Sequence, residues 1–265
     1  GVQTCALPIS CTRIIGGKPA ERWRSEALFL TPKASSSVMS MRIVLAARVY
    51  WIKEEFQTIM SAIATNLQAV RSRIVKASIA AGRPLGSVSL LAVSKTWSAD
   101  CVIAAARAGQ RAFGENYAQE AVAKIHATAG LGLEWHFIGP LQDNKTRLVA
   151  EHFDWVHSLD RLKTAERLSA QRPAGQPPLQ VCVQVNVSGE ASKSGCAPGE
   201  AAALCAAVVA LPNLRLRGLM AIPAASDDMA RQRLPFRRLR EIGESIRAAG
   251  VPLDPGPFVM LSVRD

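Results

Sequence analysis

From residue 58 onward, short runs of branched apolar residues alternate with longer stretches of helical periodicity. This alternation restricts the chain to folds in which parallel strands are joined by helical crossovers. Ile59, Ile63, Leu67, Val70 and Ile74 step by four, four, three and four, laying one apolar stripe along a leading helix that Gly82 and Pro84 stop. Strand segments follow at 90–95, 111–114, 134–138, 155–159, 180–186, 216–222 and 258–262. Helical segments separate them. The first is expected from the N-cap Ser98 to the stop at Gly109, others over 117–128, to 151, after a cap at Asp160, over 198–210 and to 249. Seven strands after a leading helix fit a (β/α)8 TIM barrel that lacks its final strand and helix. A doubly wound open sheet is the alternative, disfavoured because no Gly-rich dinucleotide turn follows the first strand. In a barrel the C-terminal strand ends share one mouth, which would gather Lys95, Asn116, Gly139, Asn186 and Met220. A ring one unit short would leave unpaired edges on its first and last strands.

The 265 residues are enough for one large α/β domain, and an apolar fraction of 49% with 20% charged residues is that of a globular protein. The formal charge of +11 could attract anions, yet the basic residues are scattered and aromatics make up only 5%. Six cysteines with no CxxC pair argue for reduced thiols and a cytoplasmic protein rather than a disulfide framework. The apolar run 43–52 is broken by Arg48 and is too short to span a bilayer, so no membrane partner is expected. Residues 1–57 carry Gly, Ser, Pro and Arg without a sustained period, and are expected to be a disordered extension, with 58–265 as the folded domain.

Most of the common chemical signatures are absent. His136, His152 and His157 do not fall at metal-ligand spacing and no cysteine lies nearby, so no metal site is expected. Gly16, Gly17 and Lys18 lack the spacing of a phosphate-binding P-loop, and there is no GxSxG elbow for a serine nucleophile. The arginines at 231, 233, 237, 238 and 240 lie near Glu241 and Glu244 at helical spacing, which suits ion pairing on a wet face better than nucleic-acid binding.

What remains is an amine. The run Leu90–Thr96, LLAVSKT, ends a strand abruptly in Lys95. A lysine there is either a solvated strand terminus or an amine at the mouth of a pocket, where partial desolvation leaves it nucleophilic. Four more motifs accompany it in order: GQRAFGENYAQE, EWHFIGPLQDNK, SKSG at 192–195 and RLRGLMAIP at 215–223. Together, over about 58–262, they closely resemble the pyridoxal phosphate homeostasis protein family, whose members look like the barrel half of bacterial alanine racemase.

That resemblance implies a protein that holds pyridoxal 5'-phosphate as a Schiff base on Lys95, the lysine of the family's AVSKT motif, without catalysing turnover. It also implies that Asn116, from the GEN motif, reaches the ring region, that Met220, from GLMAI, supplies an apolar wall, and that Ser262 belongs to the cofactor-binding set. For Asn116 a turn cap and for Met220 ordinary core packing are the readings without the resemblance. His136 and Gln142 lie in the family's WHFIGPLQ motif, with no chemistry beyond satisfied polar roles expected of them. The family continues after LS with a Gly-Met-Ser segment and later an Arg-Ile-Gly-Thr strand, the parts that cradle the phosphate. Here Ser262 is followed by Val263, Arg264 and Asp265, and a truncated end is expected. The expected partners are the cofactor and PLP-dependent apoenzymes. The alternative is a PLP-dependent, racemase-like enzyme, which would need a second acid/base on the far face of the cofactor.

Overall fold

The computed structural model describes residues 3–8, 38–190, 193–223, 228–253 and 258–260; within these, the side chains of 3–8, 38–57, 229, 232 and 258–260 are left aside. The eight strands are β1 (Gln3–Pro8), β2 (Val88–Val93), β3 (Ala112–Glu115), β4 (Glu134–Phe137), β5 (Trp155–Leu159), β6 (Leu179–Gln184), β7 (Leu214–Ala221) and β8 (Phe258–Met260). Between them run α1 (Val38–Ala80), α2 (Ala99–Arg107), α3 (Ala118–Ala127), α4 (Thr146–His152), α5 (Leu162–Gln171), α6 (Ala201–Val209) and α7 (Met229–Ala248). All strands pair in parallel and in sequence order around a closed ring.

The seven strands read from the alternation are β2 to β8, and the α/β barrel reading holds. Neither a strand nor a helix following β8 is among the described residues. The place of an eighth strand is taken from the other end of the chain: β1 pairs with β2 from Gln3↔Val88 to Pro8↔Val93, and with β8 at Cys5↔Val259 and Ala6↔Met260. The expectation of two open edges is therefore corrected. The physical reason is that backbone N–H and C=O groups on an open edge are costly to leave unpaired, and any extended segment can satisfy them.

Residues 1–57, expected to be a disordered extension, are described only in part. Residues 3–8 are strand and 38–57 are the first half of α1, while 1–2 and 9–37 lie outside the described residues. No glycine or proline occurs between Pro32 and Gly82, so nothing in the sequence breaks the helix before Thr58. The far end of α1 stops as expected, at Ala80 just before Gly82, which has φ +61°.

Inside and outside of the ring follow the period of two along each strand. Ala92, Phe113, Trp135, Phe137, Val156, Val181 and Val183 face the helices and join the main core, where Ile63 and Leu67 of α1 are also buried. Each of the larger side chains among them contributes about 1.5–3 kcal/mol of burial. Leu91, Val93 and Ile138 form a separate cluster, and Trp155, Cys182 and Met220 another, as expected for layers of side chains filling a barrel. A register shift between Val181 and Cys182 in the β6–β7 ladder puts both Leu216 and Leu219 on the helix side.

Helix ends match the sequence in part. The Ser98 hydroxyl caps α2 by accepting from the Cys101 N–H at 3.5 Å. Asp160, expected to cap α5, does not: the N-cap is Arg161, without a side-chain cap bond, and Arg161 turns instead to Asp143 at 3.1 Å.

Candidate functional site

Lys95 lies two residues beyond Val93, the last residue of β2, with its side chain exposed at the C-terminal rim of the barrel. Ser94 continues the ladder one step past β2, its N–H donating to the Gly114 carbonyl at 3.0 Å. The chain then turns sharply. Thr96 has φ +67°, the left-handed region, and among the described residues it is the one non-glycine residue with positive φ. A β-branched side chain is disfavoured there by its crowded Cβ.

The turn is held from beneath by a group of charges that the sequence analysis did not identify. Lys124 of α3, 5% exposed, donates from Nζ to the Ser94 carbonyl at 2.7 Å, to Glu115 Oε1 at 2.8 Å and to Glu120 Oε1 at 2.6 Å. Glu120 Oε1 also accepts the Thr96 N–H at 2.8 Å, and the Ser94 hydroxyl donates to Glu115 Oε1 at 2.6 Å. Glu115 is wholly buried and its Oε2 has no hydrogen-bond partner. Burial pushes its carboxyl up from the ordinary range, against the opposing pull of Lys124 and Ser94. One signal was available in the sequence: Glu120 and Lys124 stand four apart on α3, the acid N-terminal to the base.

Of the other expected residues, Asn116, Gly139 and Asn186 follow strand ends at the same rim. Asn116, half-buried, directly follows β3, and Gly139 follows Ile138, whose N–H donates to the Glu115 carbonyl at 2.9 Å. Gly139 has to be glycine, since a Cβ there would lie 2.4 Å from the Asn116 carbonyl oxygen and 2.8 Å from its Cα. Asn186, after β6, organises its own loop by donating to the Glu190 carbonyl at 2.8 Å and accepting the Gly189 N–H at 3.0 Å. Met220 lies one residue before the end of β7, opposite Gln184, fully buried against Trp155 and Cys182. Ser262 lies outside the described residues. Gln142 is exposed, ahead of a short 3-10 turn.

His136, expected only to be satisfied, belongs to a second polar cluster at the opposite end of the barrel. It bonds His157 Nε2 at 2.8 Å through Nδ1 and Glu134 at 2.7 Å through Nε2, and it stacks on Trp155 with ring centroids 5.2 Å apart. The Arg217 guanidinium covers the Trp155 ring at 4.9 Å and donates to Gln180 at 2.8 Å. The hydrogen bond from His136 holds the Glu134 carboxyl below its ordinary range, and burial pushes His157 well below that of a free imidazole. Beside this cluster a cavity of about 440 Å3 opens at the N-terminal strand ends, lined by Glu134, Asp154, Trp155, Gln180, Arg215 and Arg217 among others.

Among the described residues no group of three or more His, Cys, Asp and Glu could hold a metal ion, and no helix is long and apolar enough to cross a membrane. The basic α7 pairs its charges locally, Arg240 with Glu244 and Arg231 with Asp228, each at 3.6 Å.

Comparison with known proteins places the chain in a family. Residues 60–258 match the family described as alanine racemase, N-terminal domain. A pyridoxal phosphate homeostasis protein of Pseudomonas aeruginosa is 63% identical over 183 residues, covering 69% of this chain and 80% of the relative. Among solved structures, an unknown protein from Bifidobacterium adolescentis superposes with a TM-score of 0.69 at 32% identity, over 77% of this chain and 94% of that one. PipY of Synechococcus elongatus, solved with PLP bound, gives a TM-score of 0.63 at 30% identity, over 76% and 97%. With most of its length matched by the domain profile and by relatives well above half identical, the chain belongs to the pyridoxal phosphate homeostasis protein family, built on the alanine racemase N-terminal domain.

Proposed function

We propose that this protein binds pyridoxal 5'-phosphate through Lys95 and serves cofactor homeostasis, holding the cofactor without turning over a substrate. The observation that carries this reading is an exposed primary amine at the end of β2, on a turn whose flanking peptide groups are fixed by buried charges. The donor set fits such a group. An amine suits an aldehyde and a half-buried amide at Asn116 suits a polar ring substituent, while Met220, fully buried, fills the barrel below them. The PLP-bound structure of PipY, a relative at 30% identity, supports the same reading.

When bound, the cofactor supplies an electrophilic aldehyde carbon and an electron-accepting ring. Lys95 would hold the cofactor at that carbon through Nζ. Lys124, Glu115 and Glu120 keep the Lys95 backbone fixed while the side chain does this. Asn116 orients the ring, and Met220 excludes water from the barrel interior beneath it. Ser262 is assigned to the phosphate end on the family motif alone. The protein works in the cytoplasm, and PLP-dependent apoenzymes are the recipients of the cofactor it releases.

Borohydride reduction of the loaded protein followed by peptide mapping tests this directly. The adduct is expected on Lys95, and Lys95→Ala is expected to abolish both it and the yellow colour. An adduct on another lysine overturns the assignment. Steady racemisation of either alanine enantiomer by the purified protein overturns the holding role in favour of an enzyme.

A further inference from the structure

Lys95 differs from the exposed lysines around it in one respect: both peptide groups that flank it are tied to the same buried charges. The Ser94 carbonyl, on one side, accepts from Lys124 Nζ at 2.7 Å and from the Trp97 N–H at 3.0 Å. The Thr96 N–H, on the other, donates to Glu120 at 2.8 Å. The two anchors are themselves joined, since Lys124 and Glu120 are 2.6 Å apart, and Glu115 completes the group at 2.8 Å. Such an arrangement is costly to bury. It removes an ammonium and a carboxylate from water, leaves Glu115 Oε2 without a hydrogen bond, and holds a β-branched residue at φ +67°. Packing alone would be served at least as well by apolar residues of similar volume. Strain and buried charge concentrated around one exposed amine indicate that what is being held is the direction of that amine.

We propose that Glu115, Lys124 and Glu120, acting through the left-handed turn at Thr96, are positioning residues that aim the Lys95 side chain over the barrel mouth. The inference rests on Lys95 being the residue that captures the aldehyde. Without the triad the turn at Thr96 relaxes toward negative φ, the Lys95–Thr96 peptide rotates, and the amine samples the rim rather than one face of the site. Capture slows because fewer orientations are productive, with no change in the chemistry of the amine itself.

The test uses the full chain and pyridoxal, an aldehyde without the phosphate, so that presentation of the amine is read apart from phosphate anchoring. Samples are reduced with borohydride at timed intervals and the adduct on Lys95 is followed by peptide mapping, with exposed Lys76 and Lys163 as internal references. Glu120 is the residue to change: its side chain is 34% exposed and its loss leaves Lys124 still paired with Glu115, so the fold is retained. Glu120→Ala is expected to slow capture at Lys95 about tenfold at an unchanged melting temperature, with Lys76 and Lys163 unaffected. Glu120→Gln keeps an oxygen that accepts the Thr96 N–H and is expected to restore the rate to within about threefold of the parent. Hydrogen exchange should show the Thr96 amide exposed in the alanine variant and protected in the glutamine variant.

Capture by Glu120→Ala at the parent rate overturns the positioning role while leaving the proposed function standing. So does a glutamine variant as slow as the alanine one. If the unaltered chain labels Lys95 no faster than Lys163, the proposed function and this inference fall together.

Discussion

At the two ends of the barrel, charges are buried in different ways. At the C-terminal rim, Lys124, Glu115 and Glu120 lie between the sheet and α3, and two of their bonds end on main-chain atoms, the Ser94 carbonyl and the Thr96 N–H. At the N-terminal end, Glu134, His136 and His157 bond mostly to one another, with Trp155 and Arg217 stacked beside them. The first cluster fixes the backbone of a neighbouring residue; the second joins side chains to one another inside the ring. In barrels of this type chemistry collects at the C-terminal ends and stability at the N-terminal ends, and the bond partners at each end of this one agree with that division.

The most damaging way to break the upper cluster is Lys124→Met. It strands Glu115, wholly buried, without its cation, and is expected to cost about 3–5 kcal/mol in denaturant unfolding. Pairing it with Glu115→Leu removes the stranded charge and should recover most of that loss, whereas the Ser94 carbonyl still lacks its bond from Lys124 and the turn at Lys95 keeps only its Glu120 anchor. Next in size is Gly139→Ala. Its Cβ would meet the Asn116 backbone at 2.4 Å, and separating the β3 and β4 ends is expected to cost about 1–3 kcal/mol by the same measurement.

The lower cluster is best probed by pH. His157 takes up its proton near 6.5 when unfolded but only at lower pH in the fold, because burial, aided by His136, disfavours its charge. Between those values the unfolded chain binds more protons, so this contribution is complete above pH 6.5 and is lost as pH falls through the folded value. Glu134, held low by His136, acts in the same direction at more acid pH, while Glu115 and Asp154, raised by burial, act in the opposite one. His157→Gln is therefore expected to flatten the decline of stability between pH 6.5 and 5.5, by up to about 1.4 kcal/mol per pH unit. Pyridoxal capture at Lys95 should be unchanged by this substitution at neutral pH, since the two clusters hold different atoms.

The smallest effect concerns the thiols, which belong to neither cluster. Burial pushes Cys205 up to about 12 and Cys196 to about 11. Alkylation at pH 8 should therefore reach half-buried Cys101 well before Cys182, Cys196 or Cys205, as read by peptide mapping.

Much of the fold was legible because its signals are local. The stripe from Ile59 to Ile74, the alternation in VCVQV and the stop at Gly82 each report on their own segment, and the parallel barrel follows from their order. The pairing of Gln3–Pro8 with β2 and β8 was not legible, because QTCALP has no period strong enough to mark a strand and its reason for being extended lies in two edges far away in sequence. The site divides in the same way. Lys95, Asn116 and Gly139 could be placed at one rim from strand ends alone, whereas the role of Lys124 could not. On α3 it reads as the surface partner of Glu120, and only the approach of Ser94 and Glu115 from β2 and β3 buries it.

The sequence by itself determined the order of β2 to β8 and the helices between them, the end of the barrel at which Lys95 stands and, through five motifs in order, the family. Only the tertiary structure decided which charges lose contact with water, how the ring closes and what holds the turn at Thr96. Periodicity records which face of a segment is apolar, but desolvation and hydrogen bonding depend on which segments meet, and that is settled by packing between elements distant along the chain.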